Sequence, residues 1–232
     1  MTEMYRQLLE IQGKNLRRRR LEATDPTSWG VFHSAVEAYD AVFQQVLKPF
    51  DSLRALAKDI WQKNRRLVVV DFMGTNAVPG IVGQHGKGIS MAFTKPQLEG
   101  KLGAPVIAGD LFTHEPWSQL DQWLALPGRK YINLAVAKPG GGIKPSQIEK
   151  HPLLSFMLPR RIYRRLDPNN GFFITQLNVP HKFKGALFEW KDELEKNQIE
   201  VILDADAEIP IMKLIKSTHS PYNLPLPPIF LQ

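Results

Sequence analysis

The spacing of apolar positions changes near residue 65. Upstream, Met4, Leu8, Leu9, Ile11 and Leu16 mark one side of a helix that ends at Arg17, Arg18, Arg19 and Arg20. Asp25-Pro26-Thr27-Ser28 then reads as a turn and a helix start. From Trp29 to residue 64 helical spacing is kept by Val31, Phe32, Ala35, Val36, Tyr39, Val42, Phe43, Val46 and Leu47, interrupted by Pro49, and resumed by Leu53, Leu56, Ala57, Ile60 and Trp61. Residues 1–64 therefore predict two or three helices that pack on a core rather than form one. Downstream the apolar positions fall in short runs, and strands are predicted over 67–72, 88–93, 105–108, 130–137, 172–179, 199–204 and 211–216. Helices are predicted between them over 115–126, over 146–166 with Pro152 and Pro159 dividing it, and over 184–197.

The first of these strands, Leu67-Val-Val-Val-Asp-Phe72, is apolar on consecutive positions, as a strand covered on both faces must be. It runs into a loop holding Gly74 and Gly80, and a second glycine-rich loop, Gly140 to Gly142, follows the fourth strand. The connection Ala205-Asp-Ala-Glu-Ile-Pro210 is too short for a crossover helix, so the last two strands should pair antiparallel. The expected class is α/β: a Rossmann-like, mostly parallel seven-stranded sheet ending in an antiparallel hairpin of its sixth and seventh strands, with an N-terminal helical extension. The expected divisions are 1–64 for the extension, 65–218 for the sheet domain and 219–232 for a proline-rich tail.

Composition narrows the setting. The chain is 43% hydrophobic and 23% charged over 232 residues, ordinary for a globular protein. It holds no run of about 20 apolar residues that would span a bilayer, and its first residues lack the apolar core of a secretion signal. Cysteine is absent, which excludes disulfides, a thiol nucleophile and a thiolate metal site. A cytoplasmic location, or another reducing compartment, and no membrane association are the expectations. A net charge of +7 permits a polyanionic partner, and the charge is clustered in Arg17 to Arg20 and in Arg160, Arg161, Arg164 and Arg165. Each run also has a plain reading, as cations at a helix C-terminus or on a solvated face. Together they favour nucleic acid, RNA first, as a partner, while 1–64 and 219–232 are the candidate surfaces for a protein partner.

The order of elements over 65–218 and the residues at the strand ends resemble the class I S-adenosylmethionine-dependent methyltransferases. In that family the sheet also ends in antiparallel sixth and seventh strands. Val69-Val-Asp-Phe-Met-Gly74 is similar to the family's first motif, and the resemblance implies cofactor contacts from Asp71, Gly74, Thr75 and Asn76. Val106-Ile-Ala-Gly-Asp-Leu111 resembles the third-strand motif, which implies that Asp110, with Leu111, caps the adenine. Ile132 to Gly141 sits at the fourth-strand motif beside the transferred methyl, and Leu166 to Ile174 is similar to the family's turn into its fifth strand. Two departures stand out: the first loop lacks the usual dense glycines, and Thr94-Lys95-Pro96 replaces the acid that receives the ribose hydroxyls. Thr94 itself, or an acid brought from Glu99 or Asp71, would have to serve there.

The resemblance implies methyl transfer from S-adenosylmethionine, with RNA as the leading acceptor; the alternative is a catalytically inactive methyltransferase-like subunit that binds nucleic acid or helps assemble a larger particle. For chemistry, Lys138 could orient an acidic acceptor and His114 could act as a base. The plainer readings are a solvated lysine, a loop cap for Asp71 and a helix cap for Asp110. The histidines His85, His114, His151 and His181 lack metal-ligand spacing, so no metal is expected. Gly-x-Ser-x-Gly, a P-loop and Gly-x-Gly-x-x-Gly are all missing, which turns the reading away from serine hydrolases, P-loop enzymes and nicotinamide oxidoreductases.

Overall fold

The computed structural model describes residues 35–72, 77–92, 104–137, 154–177, 179, 184–207 and 209–228. In chain order the elements are α1 (Ala35–Leu47), α2 (Leu53–Asn64), β1 (Val68–Phe72), α3 (Ala77–Val82), β2 (Lys87–Ala92), β3 (Val106–Ala108), α4 (Glu115–Leu124), β4 (Leu134–Ala137), α5 (Leu154–Tyr163), β5 (Gly171–Gln176), α6 (Lys184–Lys196), β6 (Glu200–Asp204) and β7 (Ile211–Lys216). The predicted helix over the first residues and the run Arg17 to Arg20 lie outside the described residues.

One seven-stranded sheet has the order β3-β2-β1-β4-β5-β7-β6. Strands β1 to β5 are parallel, and β7 runs antiparallel to both β5 and β6. The closing pair is antiparallel as its short connection requires, and β7 inserts between β5 and β6. All five residues of β1 are buried because both of its faces are covered. Val68, Val70 and Phe72 pack with Trp117, Leu120, Ile162, Tyr163 and Trp190 of α4, α5 and α6. On the other face Val69 packs with Tyr39, Phe43, Leu56, Ile60 and Ile81 of α1, α2 and α3. At roughly 1.5–3 kcal/mol per fully buried large side chain, these two layers dominate the stability of the fold.

Local chemistry sets the helix limits. Ser52 Oγ accepts from Ala55 N (3.1 Å) and Asp40 Oδ1 from Leu53 N (2.7 Å), which satisfies donors at the start of α2. Arg65 closes that helix with left-handed backbone at φ 53°. The C-terminal segment docks on α6, where Trp190 Nε1 donates to the Pro225 carbonyl (2.9 Å) and Leu224 is buried.

Four details differ from the sequence expectation. The fourth strand begins at Leu134 instead of Lys130, because Lys130 takes φ 59° and only an isolated bridge joins Ile132 to Leu166. Pro159 lies inside α5 rather than dividing it. Burial of Phe156, Leu158, Ile162 and Tyr163 along that helix offsets the hydrogen bond that proline cannot make. Pro79 and Gly80 belong to α3 rather than to an open loop. A Cβ on Gly80 would sit 2.4 Å from Val36 Cγ2, so this glycine serves the close crossing of α3 over α1. Finally, the run Arg160 to Arg165, whose place after the fourth strand predicts a position close to the substrate edge at the carboxyl ends of the strands, ends with Arg164 and Arg165 at the amino edge: the Arg165 carbonyl accepts from Ile132 N just before β4.

Three loop residues tie the amino ends of β1, β4 and β5 together. Asn133 Oδ1 accepts from Val68 N (2.9 Å), and its Nδ2 donates to Asp167 Oδ2 (2.9 Å). Arg66 Nη2 donates to the same oxygen (2.5 Å), and Asp167 Oδ1 accepts from Asn169 N (3.0 Å). Replacement Asn133→Leu leaves a buried backbone donor and a half-paired buried carboxylate, so it should cost roughly 2–4 kcal/mol. Urea denaturation reads this as a lower midpoint at unchanged slope; a midpoint equal to wild type would show that the network adds nothing.

Candidate active site

In a sheet of this order the strands leave β1 in opposite directions, to β2 and β3 on one side and to β4 and β5 on the other. Ligands of such sheets sit above the carboxyl ends of the strands at that switch point. Of the residues assigned to this edge from sequence, Asp71, Asp110, Leu111 and His114 are described; Gly74, Thr75, Asn76, Thr94 and Lys138 lie outside the described residues.

Asp71 is the fourth residue of β1 and is completely buried. Its side chain shares the face of Val69, beneath α1, and there Tyr39 Oη donates to Oδ1 at 2.7 Å. Among the described residues Oδ2 has no hydrogen-bond partner. Burial pushes this carboxyl up to about 7, and the Tyr39 hydrogen bond pulls the other way. The sequence marked Tyr39 only as an apolar helix position, so its role as the donor to Asp71 was missed. A second orphan lies two strands away. Gln176, the last residue of β5, is buried with Oε1 unpartnered among the described residues, and it shares the face of Ile174, which packs in the same layer as Val69. The only sequence signal for Gln176 was an amide at the end of an apolar run.

Asp110 follows β3 after Gly109. Its Oδ1 accepts from Phe112 N (2.9 Å), and its carbonyl accepts from both the Thr113 backbone N–H (2.9 Å) and the Thr113 hydroxyl (2.8 Å). The side chain thus shapes a turn, and the N-cap of α4 is His114. A Cβ on Gly109 would meet Pro116 Cγ at 2.5 Å, so glycine lets the first turn of α4 close onto the end of β3. The Leu111 carbonyl is fully engaged, accepting from Trp117 Nε1 (2.7 Å) and Arg161 Nη1 (2.8 Å). His114 is exposed at the mouth of the edge and makes no capping hydrogen bond with its ring. Among the described residues no group of three or more histidine or acidic side chains could hold a metal ion. No helix among them is long and apolar enough to cross a membrane.

The second arginine run is mostly committed to its own chain. Arg161 Nη1 also reaches the Thr113 carbonyl (2.9 Å). Arg165 holds Asp121 through two hydrogen bonds (2.6 and 2.7 Å) and lies 4.7 Å from the Trp117 ring centroid. Arg164 Nε donates to Asn223 (2.7 Å) and is exposed. Burial and the neighbouring Arg164 charge push Arg160 below the usual guanidinium range.

The order β3-β2-β1-β4-β5-β7-β6 with a single reversed strand is the class I methyltransferase fold. No protein-family model matches the chain, and neither does any curated protein. Solved structures similar to it include the MycE methyltransferase of mycinamycin biosynthesis, in complex with magnesium and S-adenosylhomocysteine, at 9% identity and TM-score 0.44 over 81% of this chain and 59% of that one. A chain described as a ribosomal RNA methyltransferase from Plasmodium falciparum gives 12% identity and TM-score 0.43 over 70% and 94%. A human methyltransferase 10 domain containing protein gives 13% and 0.42 over 79% and 96%. The chain thus spans 59% of the length of the MycE chain. The fold assignment itself stands on this chain's own strand order and register.

The raised Asp71 carboxyl has a consequence for stability. Between the unfolded value of 3.8 and about 7 the folded protein holds a proton that the unfolded chain has released. Stability from this group is complete below 3.8 and declines as pH rises through 7. Asp71→Asn keeps an oxygen for Tyr39 and removes the titration. It should gain on wild type by roughly 2–4 kcal/mol between pH 5 and pH 8.5, measured by urea denaturation across that range. A constant difference across the range would mean that Asp71 does not titrate there.

Proposed function

We propose that the chain transfers a methyl group from S-adenosylmethionine to a nucleic acid, with RNA the favoured acceptor. The observation that carries this reading is the reversed β7 combined with acids at the carboxyl ends of β1 and β3. The donor set supports it. S-adenosylmethionine presents an ammonium, two ribose hydroxyls and an adenine amine, all donors. This edge offers acceptors: Asp71 Oδ2 and Gln176 Oε1, which have no partner among the described residues, and the Asp110 carboxylate.

In this reading Asp110 receives the adenine amine, and its turn, pinned by Phe112 and Thr113, fixes the direction of that acceptor. Gly74, Thr75 and Asn76 are the residues this reading assigns to the amino acid end of the cofactor, and Asp71 at the end of β1 keeps its Oδ1 oriented by Tyr39. Thr94 is the residue this reading assigns to the ribose. The cofactor supplies an electrophilic methyl on a sulfonium, so the chain need not provide a covalent nucleophile. What remains for the protein is to align the acceptor and take its proton, which His114 does at the mouth of α4 while Lys138 orients the acceptor. Nucleic acid is supported by the net charge of +7 and by the run Arg17 to Arg20.

Calorimetry tests the reading. Either S-adenosylmethionine or S-adenosylhomocysteine should bind with a micromolar Kd. Asp110→Asn, which keeps an oxygen for Phe112 N, should weaken binding about tenfold, the worth of one charge-assisted hydrogen bond. Methyl label should pass to RNA and not to protein. Absence of heat with both ligands, alongside salt-dependent RNA binding, would replace this reading with that of an inactive nucleic-acid-binding subunit, a role to which the sealed Tyr39–Asp71 pair is also suited.

A further inference from the structure

We infer that the amino edge of the sheet, opposite the candidate active site, is a binding track for single-stranded nucleic acid. At the amino edge, Arg65 and Arg66 precede β1, Lys87 opens β2, Arg129 and Lys130 precede β4, and Arg164 and Arg165 precede β5. Their common placement follows from the register: Lys87 stands opposite Val68, Asn133 N bonds to the Val68 carbonyl, and Ile132 N bonds to the Arg165 carbonyl.

The acids between β1 and β5 on this edge are already used, Asp167 by Arg66 and Asp121 by Arg165. Arg65, Lys87, Lys130 and Arg164 remain exposed, with no ion pair among the described residues. The carboxyl ends of α2, α4 and α5 also point here and favour cations. That accounts for a positive edge, but not for the aromatic rings interleaved with it. Arg65 lies 5.4 Å from the Trp61 ring, on which His85 also stacks at 4.4 Å. Arg129 lies 4.4 Å from Trp123 and Lys130 5.2 Å from Tyr131. Beyond β7, Tyr222 is 70% exposed beside Lys216, and its neighbour Asn223 is held by Arg164.

Cations that follow a backbone, alternating with rings on which bases stack, form the general device for binding single strands. From β7 to β2 the track crosses four strand spacings, about 19 Å. A depression lined by Asn64, Arg66, Asp167 and Asn169 lies along it. Tyr222, the most exposed large apolar side chain among the described residues, is the stacking platform at one end, and Lys87 marks the other. The assignment is independent of the cofactor site, so either can fail without the other.

The test uses the full chain and a fluorescein-labelled oligouridylate, read by anisotropy over a salt series. Reversal of Arg65, Lys87, Lys130 and Arg164 to glutamate should weaken binding at least tenfold and reduce the salt slope by about 0.7 for each lost phosphate contact. Tyr222→Ala should weaken it about tenfold at unchanged slope. Calorimetry with S-adenosylhomocysteine should give the wild-type result for both variants. If the reversal variant melts below wild type, the neutral Lys87→Gln/Lys130→Gln pair gives the same reading at half the slope change. Wild-type affinity in these variants, with binding lost only on reversal of Arg17, Arg18, Arg19 and Arg20, would overturn the assignment. So would equally tight binding of inorganic polyphosphate, or of phosphatidylserine vesicles, that ignores Tyr222→Ala.

Discussion

A carboxyl group buried in the central strand governs how the rest of this molecule is arranged. Asp71 lies completely inside the protein, between β2 and β4 and beneath α1. A carboxylate there is costly unless it is hydrogen-bonded, and Tyr39 of α1 supplies one bond. That bond makes α1 part of the site rather than a helix merely added in front of the sheet. Phe43, Leu47, Leu53, Leu56 and Ile60 of α1 and α2 complete the layer that keeps water from the acid. The same exclusion of water raises its proton affinity, so burying this acid also limits the stability of the fold at neutral pH.

The two edges of the sheet follow from chain direction. Because the helices return antiparallel to the strands, every described loop leaving β3, β5 or β6 reaches one edge and every helix end returns to the other. Among the described residues the acceptors Asp71, Asp110 and Gln176 lie at the first, and Arg65, Lys87, Lys130, Arg164 and the exposed Tyr222 lie at the second, which is braced by the Asn133, Asp167 and Arg66 network. In the proposal the first edge holds a cofactor rich in donors, and the second holds a polyanion. Chemistry and attachment are then some five residues of strand apart, far enough that a bound strand does not crowd the reacting group.

Much of the fold was legible because buried strands are written as continuous apolar runs, and because a connection of six residues cannot hold a crossover helix. Strand ends were less legible. The left-handed backbone at Lys130 shortens β4, and the packing of α5 overrides Pro159, and neither effect has a local signature. The position of Arg164 and Arg165 could have been read correctly, since they directly precede the turn into β5 and a residue there must lie at the amino edge. Tyr39 could not: its spacing marks it as core, and only the 2.7 Å contact across 32 residues of chain gives its hydroxyl a partner. The Asp110 turn was equally hidden, because an acid before a helix is more often its cap.

In the proposed function the carboxyl edge is a cofactor site built on β1 and β3. A crystal structure of the chain soaked with S-adenosylhomocysteine tests it directly. Density for the ligand is expected above β1 and β3, with its adenine amine within hydrogen-bonding distance of Asp110 and its amino acid end over Gly74, Thr75 and Asn76. Ligand density at another place, or a carboxyl edge that stays unchanged at saturating ligand, would contradict it.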